Sequence, residues 1–162
     1  MALIKEVARR KAEAVLEDFW DDRLPIDPVR IAQDLNMQVF RADLPDGESG
    51  LIVKESGKSA EIYLNENEPD ARQNFTCAHE LGHWFERERA AYDEYSFVDR
   101  RGDKKDAHEW YAEHFAANLL MPARTFIQFF DEGCDVRELA QVFGVSNAAD
   151  LSRLRGLRLR DA

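Results

Sequence analysis

His79-Glu80-Leu81-Gly82-His83 sets two imidazoles four residues apart, with a carboxylate directly after the first. On an α-helix, residues four apart share a face, so His79 and His83 can offer ring nitrogens to one metal ion from successive turns. Glu80 lies about 100° further round the helix, beside such an ion without being its ligand. There it can take a proton from a water polarised by the metal and later return it to a leaving amine. The H-E-x-x-H pattern carries this meaning only inside a helix. The stretch from Asp70 to about Glu88 supplies one, since it follows the breaker Asn65 to Pro69, holds no proline and has one glycine, Gly82. The competing reading is a surface helix that happens to carry two histidines.

A catalytic zinc site needs a third protein ligand and one open position. The next strong helical stretch runs from about Asp106 to Leu120 and stops before Pro122. On it Glu109 and Glu113 share a face, and Ala112 and Ala116 leave room for close packing. Gly82 matches that on the other side: a helix-interior glycine costs ~1 kcal/mol relative to alanine, and close approach of a second backbone is the return. The pairing puts a carboxylate beside the two histidines. Without the histidine pattern, the two glutamates would read equally well as a solvated stripe.

Other elements must hold this helix pair. Apolar positions from Leu3 to Trp20 recur at three- and four-residue steps, which predicts an amphipathic helix. Leu24-Pro25 breaks it, and Asp27-Pro28 starts a short helix through about Leu35. Met37 to Arg41, Gly50 to Lys54 and Ala60 to Leu64 read as strands, separated by Pro45-Asp46-Gly47 and Glu55-Ser56-Gly57-Lys58. Arg87 to Asp106 is dense in charge and without a sustained period, so it reads as a long surface loop that gates access or selects substrate. Pro122 can open another short helix, and Asp135 to Leu159 reads as two more around Gly144-Val145-Ser146, with Ser146 or Asn147 as a cap. The expected fold is α+β: a small antiparallel β-sheet packed on a zincin-like metal-binding helix pair, with additional N- and C-terminal helices. The expectation is a single domain over 1–162, with the sheet and catalytic helices in 1–125 and a helical tail in 126–162.

The chain has 162 residues, 44% hydrophobic and 33% charged, enough apolar material for one core within a well-solvated surface. A formal charge of −10 disfavours nucleic acid as the main partner. The longest nearly apolar run, Phe115 to Ala123, falls short of the ~20 residues a membrane helix needs. The N-terminus lacks a signal-peptide pattern, and Cys77 and Cys134 stand without zinc-finger spacing, so free thiols in the cytoplasm are expected.

Phe75 to His83 and Glu109 to Pro122 resemble the ImmA/IrrE-type metallopeptidases, whose two blocks are A-H-E-x-G-H and E-x-x-A-x-x-F-A-A-x-L-L-M-P. The resemblance extends to Leu24-Pro25-Ile26-Asp27, a Gly50-containing strand, Ile62-Tyr63-Leu64-Asn65 and Leu139-Ala140-x-x-Phe143-x-Val145-Ser146, and so covers most of the chain. It implies Glu109 as the third ligand and Glu80 as the catalytic base. Glu113 then supports the site from outside the ligand set, fixing the tautomer of a ligand imidazole. The sequence departs from the family at Glu113, often Asn, and at Gln73-Asn74, where an arginine often stands. The resemblance further implies a zinc-dependent endopeptidase whose protein substrate is a helix-turn-helix repressor or antitoxin encoded nearby, cut to derepress stress, mobile-element or toxin-antitoxin genes. Two histidines and a glutamate also accept Mn²⁺ or Fe²⁺.

The alternative function is a regulatory binding module, or a toxin-antitoxin component, that holds its partner without cutting it. A third reading takes Val136 to Leu154 as a helix-turn-helix, with Arg153, Arg155, Arg158 and Arg160 on phosphates, although packing two helices onto the core explains the same apolar positions. The donor for a tetrahedral oxyanion stays open among His108, His114, Tyr92, Tyr95 and Tyr111. Cys77 reads as a small buried residue, and Trp84, Phe85 and Trp110 as core clamps between the two helices.

Overall fold

The computed structural model describes residues 2–90 and 93–160. In chain order it contains α1 (Ala2–Phe19), α2 (Pro28–Asp34), β1 (Gln38–Ala42), β2 (Glu48–Lys54), β3 (Glu61–Asn65), α3 (Asp70–Arg89), β4 (Tyr95–Arg100), α4 (Ala107–Leu120), α5 (Ala123–Asp131), α6 (Val136–Phe143) and α7 (Asn147–Gly156). The architecture is α+β, with helices at both ends of the chain and a single sheet between them. Among the described residues no helix is long and apolar enough to cross a membrane.

Helix starts follow from local hydrogen bonding. Asp27 accepts from the backbone N–H groups of Val29 and Arg30, and Pro28 supplies a first-turn φ at no cost in donors. Asp106 caps α4 at Glu109 N–H, Ser146 caps α7 at Ala149 N–H, and Asp135 and Glu138 form a reciprocal box at the start of α6. Each such cap contributes about 1 kcal/mol.

The sheet runs β1-β3-β2-β4. Strand β2 pairs antiparallel with β3, Ile52 facing Ile62, and with β4, Leu51 facing Val98. At the other edge β1 lies parallel to β3, with Val39 opposite Ile62, so the sheet is mixed where antiparallel pairing was expected throughout. The reason is reach: residues 43–47 span up to about 16 Å, more than the roughly 10 Å of two strand spacings, so β2 passes one place further and β3 fills the gap. Alternation within a strand says which face is buried, not which neighbour it pairs with.

A second correction concerns Arg87 to Asp106. Helix α3 continues to Arg89, Tyr95–Arg100 is the edge strand β4, and irregular chain is left at residues 101–106 before α4. Charge at Asp99 and Arg100 hid the alternation of Tyr95, Phe97 and Asp99, and pairing with β2 stabilises the strand despite it.

The core lies between the sheet and a layer in which α4 sits against both α1 and α3. Ile52, Ile62 and Leu64 of the sheet, Ala78 and Leu81 of α3, and Phe115 and Leu119 of α4 are fully buried. Two glycines allow close contacts of α3 on opposite sides, Gly82 with the α4 backbone and Gly50 with the Thr76 side chain. A Cβ at Gly82 would stand 2.8 Å from Ala112 Cα, and one at Gly50 would stand 2.6 Å from Thr76 Cγ2 and 2.7 Å from the Tyr63 carbonyl oxygen. Phe85 and Phe115, with ring centroids 5.4 Å apart, clamp α3 to α4 as expected. The tail packs through Phe126 and Phe143, and Arg153 of α7 donates to the Met121 carbonyl at 2.7 Å and to Asn118 Oδ1 at 3.1 Å. Arg153 is thereby an internal fastener of α7 to the end of α4.

Gly82→Val should destabilise the fold by about 2–3 kcal/mol, because the added side chain meets backbone that has nowhere to move. Gly156→Ala, at the open end of α7, should stay within about 1 kcal/mol of wild type. Urea unfolding of both variants checks the pair, and equal midpoints would refute the close-contact account.

Candidate metal centre

Helix α3 carries His79 and His83 one turn apart, and the close approach of α4 at Gly82 delivers Glu109 to both. Glu109 Oε2 lies 2.9 Å from His79 Nε2, and Oε1 lies 2.9 Å from His83 Nε2. The three donor atoms fall within 4.8 Å of one another. A tetrahedral ion with ligand bonds of about 2.0–2.2 Å would hold its donors roughly 3.4 Å apart, so a small opening of this cluster suits Zn²⁺ or a similar divalent ion. Two imidazole nitrogens and one carboxylate oxygen are also the donor types such an ion takes.

Burial shapes the charges. His79 and His83 are buried, and desolvation lowers the pKa of His83 even against the neighbouring Glu109, which favours the neutral ring that a metal requires. Burial alone would raise the pKa of Glu109, but its hydrogen bonds with His79 and His83 outweigh that and hold it ionised far below the ordinary carboxylate range.

Glu80 is the outlying case. It is 0% exposed, and neither carboxylate oxygen has a hydrogen-bond partner. Desolvation, then the carboxylates of Asp99 and Glu109, push its pKa well above the usual value. A buried carboxyl without a partner is costly and calls for a role, since it would be replaced at no loss if only packing mattered.

Strand β4 supplies a contact that the sequence reading missed. Phe97 lies flat on His83, with centroids 4.7 Å apart and planes within 4°, and the Arg87 guanidinium lies 4.5 Å from the centroid of the Phe97 ring. The Nδ1 atom of His83 is buried without a hydrogen-bond partner, so this stack orients the ring where a carbonyl or carboxylate commonly does. The missed signal was the alternation Tyr95, Phe97, Asp99 inside a charged stretch.

Over the cluster opens a cleft of about 500 Å³. His79 and Glu109 form its base, Arg72 and Phe75 of α3 and Val98 to Arg100 of β4 form walls, and residues 101–106 form the rim. The rim is tied down by Arg100 to Glu48 at 3.2 Å, by Arg101 to the buried Glu68 at 3.6 Å, and by an ion pair between Lys105 and Glu113. Glu113 thus faces the cleft one turn beyond Glu109, with its carboxylate on Lys105.

Of the oxyanion candidates, His108 pairs with Glu86, Tyr111 stacks on the buried Phe115, and His114 stacks on Trp110. Tyr95 is set beside Phe97 with its hydroxyl buried, and burial raises its pKa. None of these four lines the cleft, and Tyr92 lies outside the described residues. The donors that do line it are Arg72, Arg100, Arg101, Lys104 and Lys105. Gln73, at the departure from the family pattern, is buried and accepts from Arg41 Nε at 3.0 Å, so an arginine does reach this spot from β1. Cys77 is a buried free thiol whose pKa is pushed up by burial, as a packing residue should be, and Cys134 is also free. Trp110 lies half-buried across from Lys105 rather than clamping the core.

A peptidase family model described as the IrrE N-terminal-like domain matches residues 32–155. No curated protein matches the chain at a significant level. Among solved structures, a Mycobacterium tuberculosis transcriptional regulator superposes with a TM-score of 0.64 at 18% identity, over 95% of this chain and 47% of that one. The chain therefore corresponds to about half the length of that regulator, and the likeness is one of fold.

His83→Ala should abolish high-affinity binding of one Zn²⁺ per chain. Phe97→Ala, which leaves all three donors in place, should weaken it by about 10- to 100-fold through a freed ring. Competition with a chromophoric chelator measures both, and wild-type affinity in Phe97→Ala would remove the orienting role of the stack.

Proposed function

The chain belongs to the peptidase family whose domain is described as IrrE N-terminal-like, and on that premise we propose that it is a zinc-dependent endopeptidase acting on a protein substrate. The observation that carries this is the convergence of His79, His83 and Glu109 around one point, with the partnerless Glu80 next to it on α3. His79, His83 and Glu109 would hold the ion, and Mn²⁺ or Fe²⁺ would fit the same donors. When bound, the metal supplies Lewis acidity towards the scissile carbonyl and the attacking water.

The remaining steps fall to side chains. Glu80 accepts a proton on a carboxylate oxygen as the attacking water bonds to the carbonyl carbon, and then delivers it to the nitrogen of the leaving amine as the C–N bond breaks and the carbonyl re-forms. Its burial suits this shuttle, because a raised pKa brings proton uptake and release closer to neutral pH. Arg72 and the cations of the rim are the donors placed to face a developing oxyanion. Glu113 acts from outside the ligand set, through Lys105 and the rim. The free edge of β4 offers backbone donors and acceptors to an extended polypeptide entering the cleft.

A helix-turn-helix repressor or antitoxin encoded nearby is the substrate class this reading favours, with derepression of the controlled genes as the outcome. Cys77 and Cys134 as free thiols accord with a reducing, cytoplasmic setting. A second reading, that the chain binds such a partner without cutting it, draws on the complete burial of Glu80, which leaves the base without solvent contact.

Incubation of the Zn²⁺-loaded chain with the neighbouring helix-turn-helix protein, followed by intact mass, separates the two. Wild type should cut at a defined bond, and Glu80→Gln should be slower by about 10²–10⁴ while retaining metal and partner. Binding by both forms with cutting by neither would establish the binding module instead.

A further inference from the structure

A second groove of about 480 Å³ adjoins the metal cleft. Arg72, Phe75 and Glu113 line both, so the two cavities share a wall. The floor is the face of α4 that carries Trp110, His114, Ala117 and Met121, and the far wall is the face of α7 that carries Ala148, Ser152 and Gly156. Those α7 residues are small and exposed, so the wall stands back and leaves the groove open along its length.

The charge of the lining runs against that of the molecule. The whole chain has a formal charge of −10, yet the groove is lined by Lys5, Arg72 and Arg153 against the one carboxylate of Glu113, which is already paired with Lys105. Arg153 is half-buried and donates to a carbonyl and an amide oxygen, both neutral. Its hydrogen bonds thus go to neutral oxygens; burial lowers its pKa, and the Glu13 carboxylate offsets only part of that. His114 adds a ring nitrogen, Nε2, that is buried without a hydrogen-bond partner on the same floor. Groove dimensions, a largely apolar floor and an excess of cations over carboxylates in the lining together describe a seat for a polypeptide with small side chains and carboxylates.

We propose that this groove binds the segment of the protein substrate that flanks the scissile bond, and that it selects a segment rich in small and acidic residues. The proposal rests on the endopeptidase reading for what occupies the neighbouring cleft, and it assigns to α7 and the N-terminal turn of α1 a role in substrate choice that the metal centre does not need. The wall that the two cavities share is what ties the occupant to the substrate. A polypeptide whose scissile bond lies over Glu109 passes Glu113 and Phe75 on leaving the cleft, and enters the groove there.

The test uses two fluorescein-labelled dodecapeptides, one of alternating alanine and glutamate and one of alternating alanine and glutamine. Binding is read by fluorescence anisotropy on the metal-loaded Glu80→Gln chain, so that the probe stays intact. The glutamate peptide should bind about tenfold tighter than its glutamine counterpart. Ser152→Trp, on the exposed wall of α7, should weaken it at least fivefold by filling the groove, and Lys5→Gln by about threefold, as expected for one cation at a rim. Removal of the metal with a chelator should change the affinity by less than twofold. Equal affinity for the two peptides, indifference to Ser152→Trp, or loss of binding on chelation would overturn the groove assignment. Wild-type chain that binds the glutamate peptide through the groove but cleaves no protein would refute the endopeptidase reading and leave the groove as a docking site.

Discussion

The contact between Gly82 of α3 and Ala112 of α4 governs this molecule. A glycine in the middle of a helix forgoes about 1 kcal/mol, and here the return is geometric: two backbones meet with no side chain between them. At that distance a glutamate three residues before Ala112 reaches both imidazoles on α3, and a methyl group more would carry it out of hydrogen-bond range. Gly50 does the same on the sheet side, where Thr76 sits over the β2 backbone. The helix that holds the histidines is therefore gripped between two surfaces, meeting the α4 backbone directly at Gly82 and the sheet backbone through the Thr76 methyl, and its rotation and height are fixed before any metal is considered.

That grip also explains how so much polarity can be buried beside the core. His79, His83 and Glu80 are buried, and Glu109 is half-buried. His79, His83 and Glu109 satisfy one another through short hydrogen bonds, and Phe97 covers the face of His83. Both carboxylate oxygens of Glu80 are left without a hydrogen-bond partner, which is costly for a buried group. Beyond the site the charge is unevenly distributed: the molecule is acidic overall, cations and carboxylates alternate around the cleft, and cations outnumber carboxylates in the neighbouring groove. Such a distribution repels nucleic acid at long range and presents local cations to an acidic chain at short range.

Much of the design was legible in the amino-acid order. The two histidines, the glutamate beside them, the paired glutamates on the following helix, the helix caps at Asp27, Asp106 and Ser146, and the glycine that admits the second helix all carry local or periodic signals. Strand β4 was not legible, because its apolar residues are interrupted by charge and its stability comes from β2, which lies far away in sequence. Phe97 as the support of His83, and the cations of the cleft rim as candidate donors, were hidden with it. The tyrosines and histidines nearest the motif in sequence drew attention instead, and the fold turns the four described ones, Tyr95, His108, Tyr111 and His114, onto other partners.

The sequence by itself determined what depends on near neighbours along the chain: helix and strand identity where periodicity is clean, the caps that end them, and the spacing that aligns His79 with His83 on one face. Only the tertiary structure decided what depends on distant segments meeting. It placed β3 between β1 and β2, made an edge strand of a charged stretch, set Phe97 flat on His83, turned Arg153 inward to hold α7, and put a second groove against the wall of the cleft. The division has a physical cause. Local hydrogen bonds and side-chain periodicity are set within a turn or two of chain, whereas pairing partners and cavities arise from whichever packing buries the apolar faces together, and that choice is made by the whole chain at once.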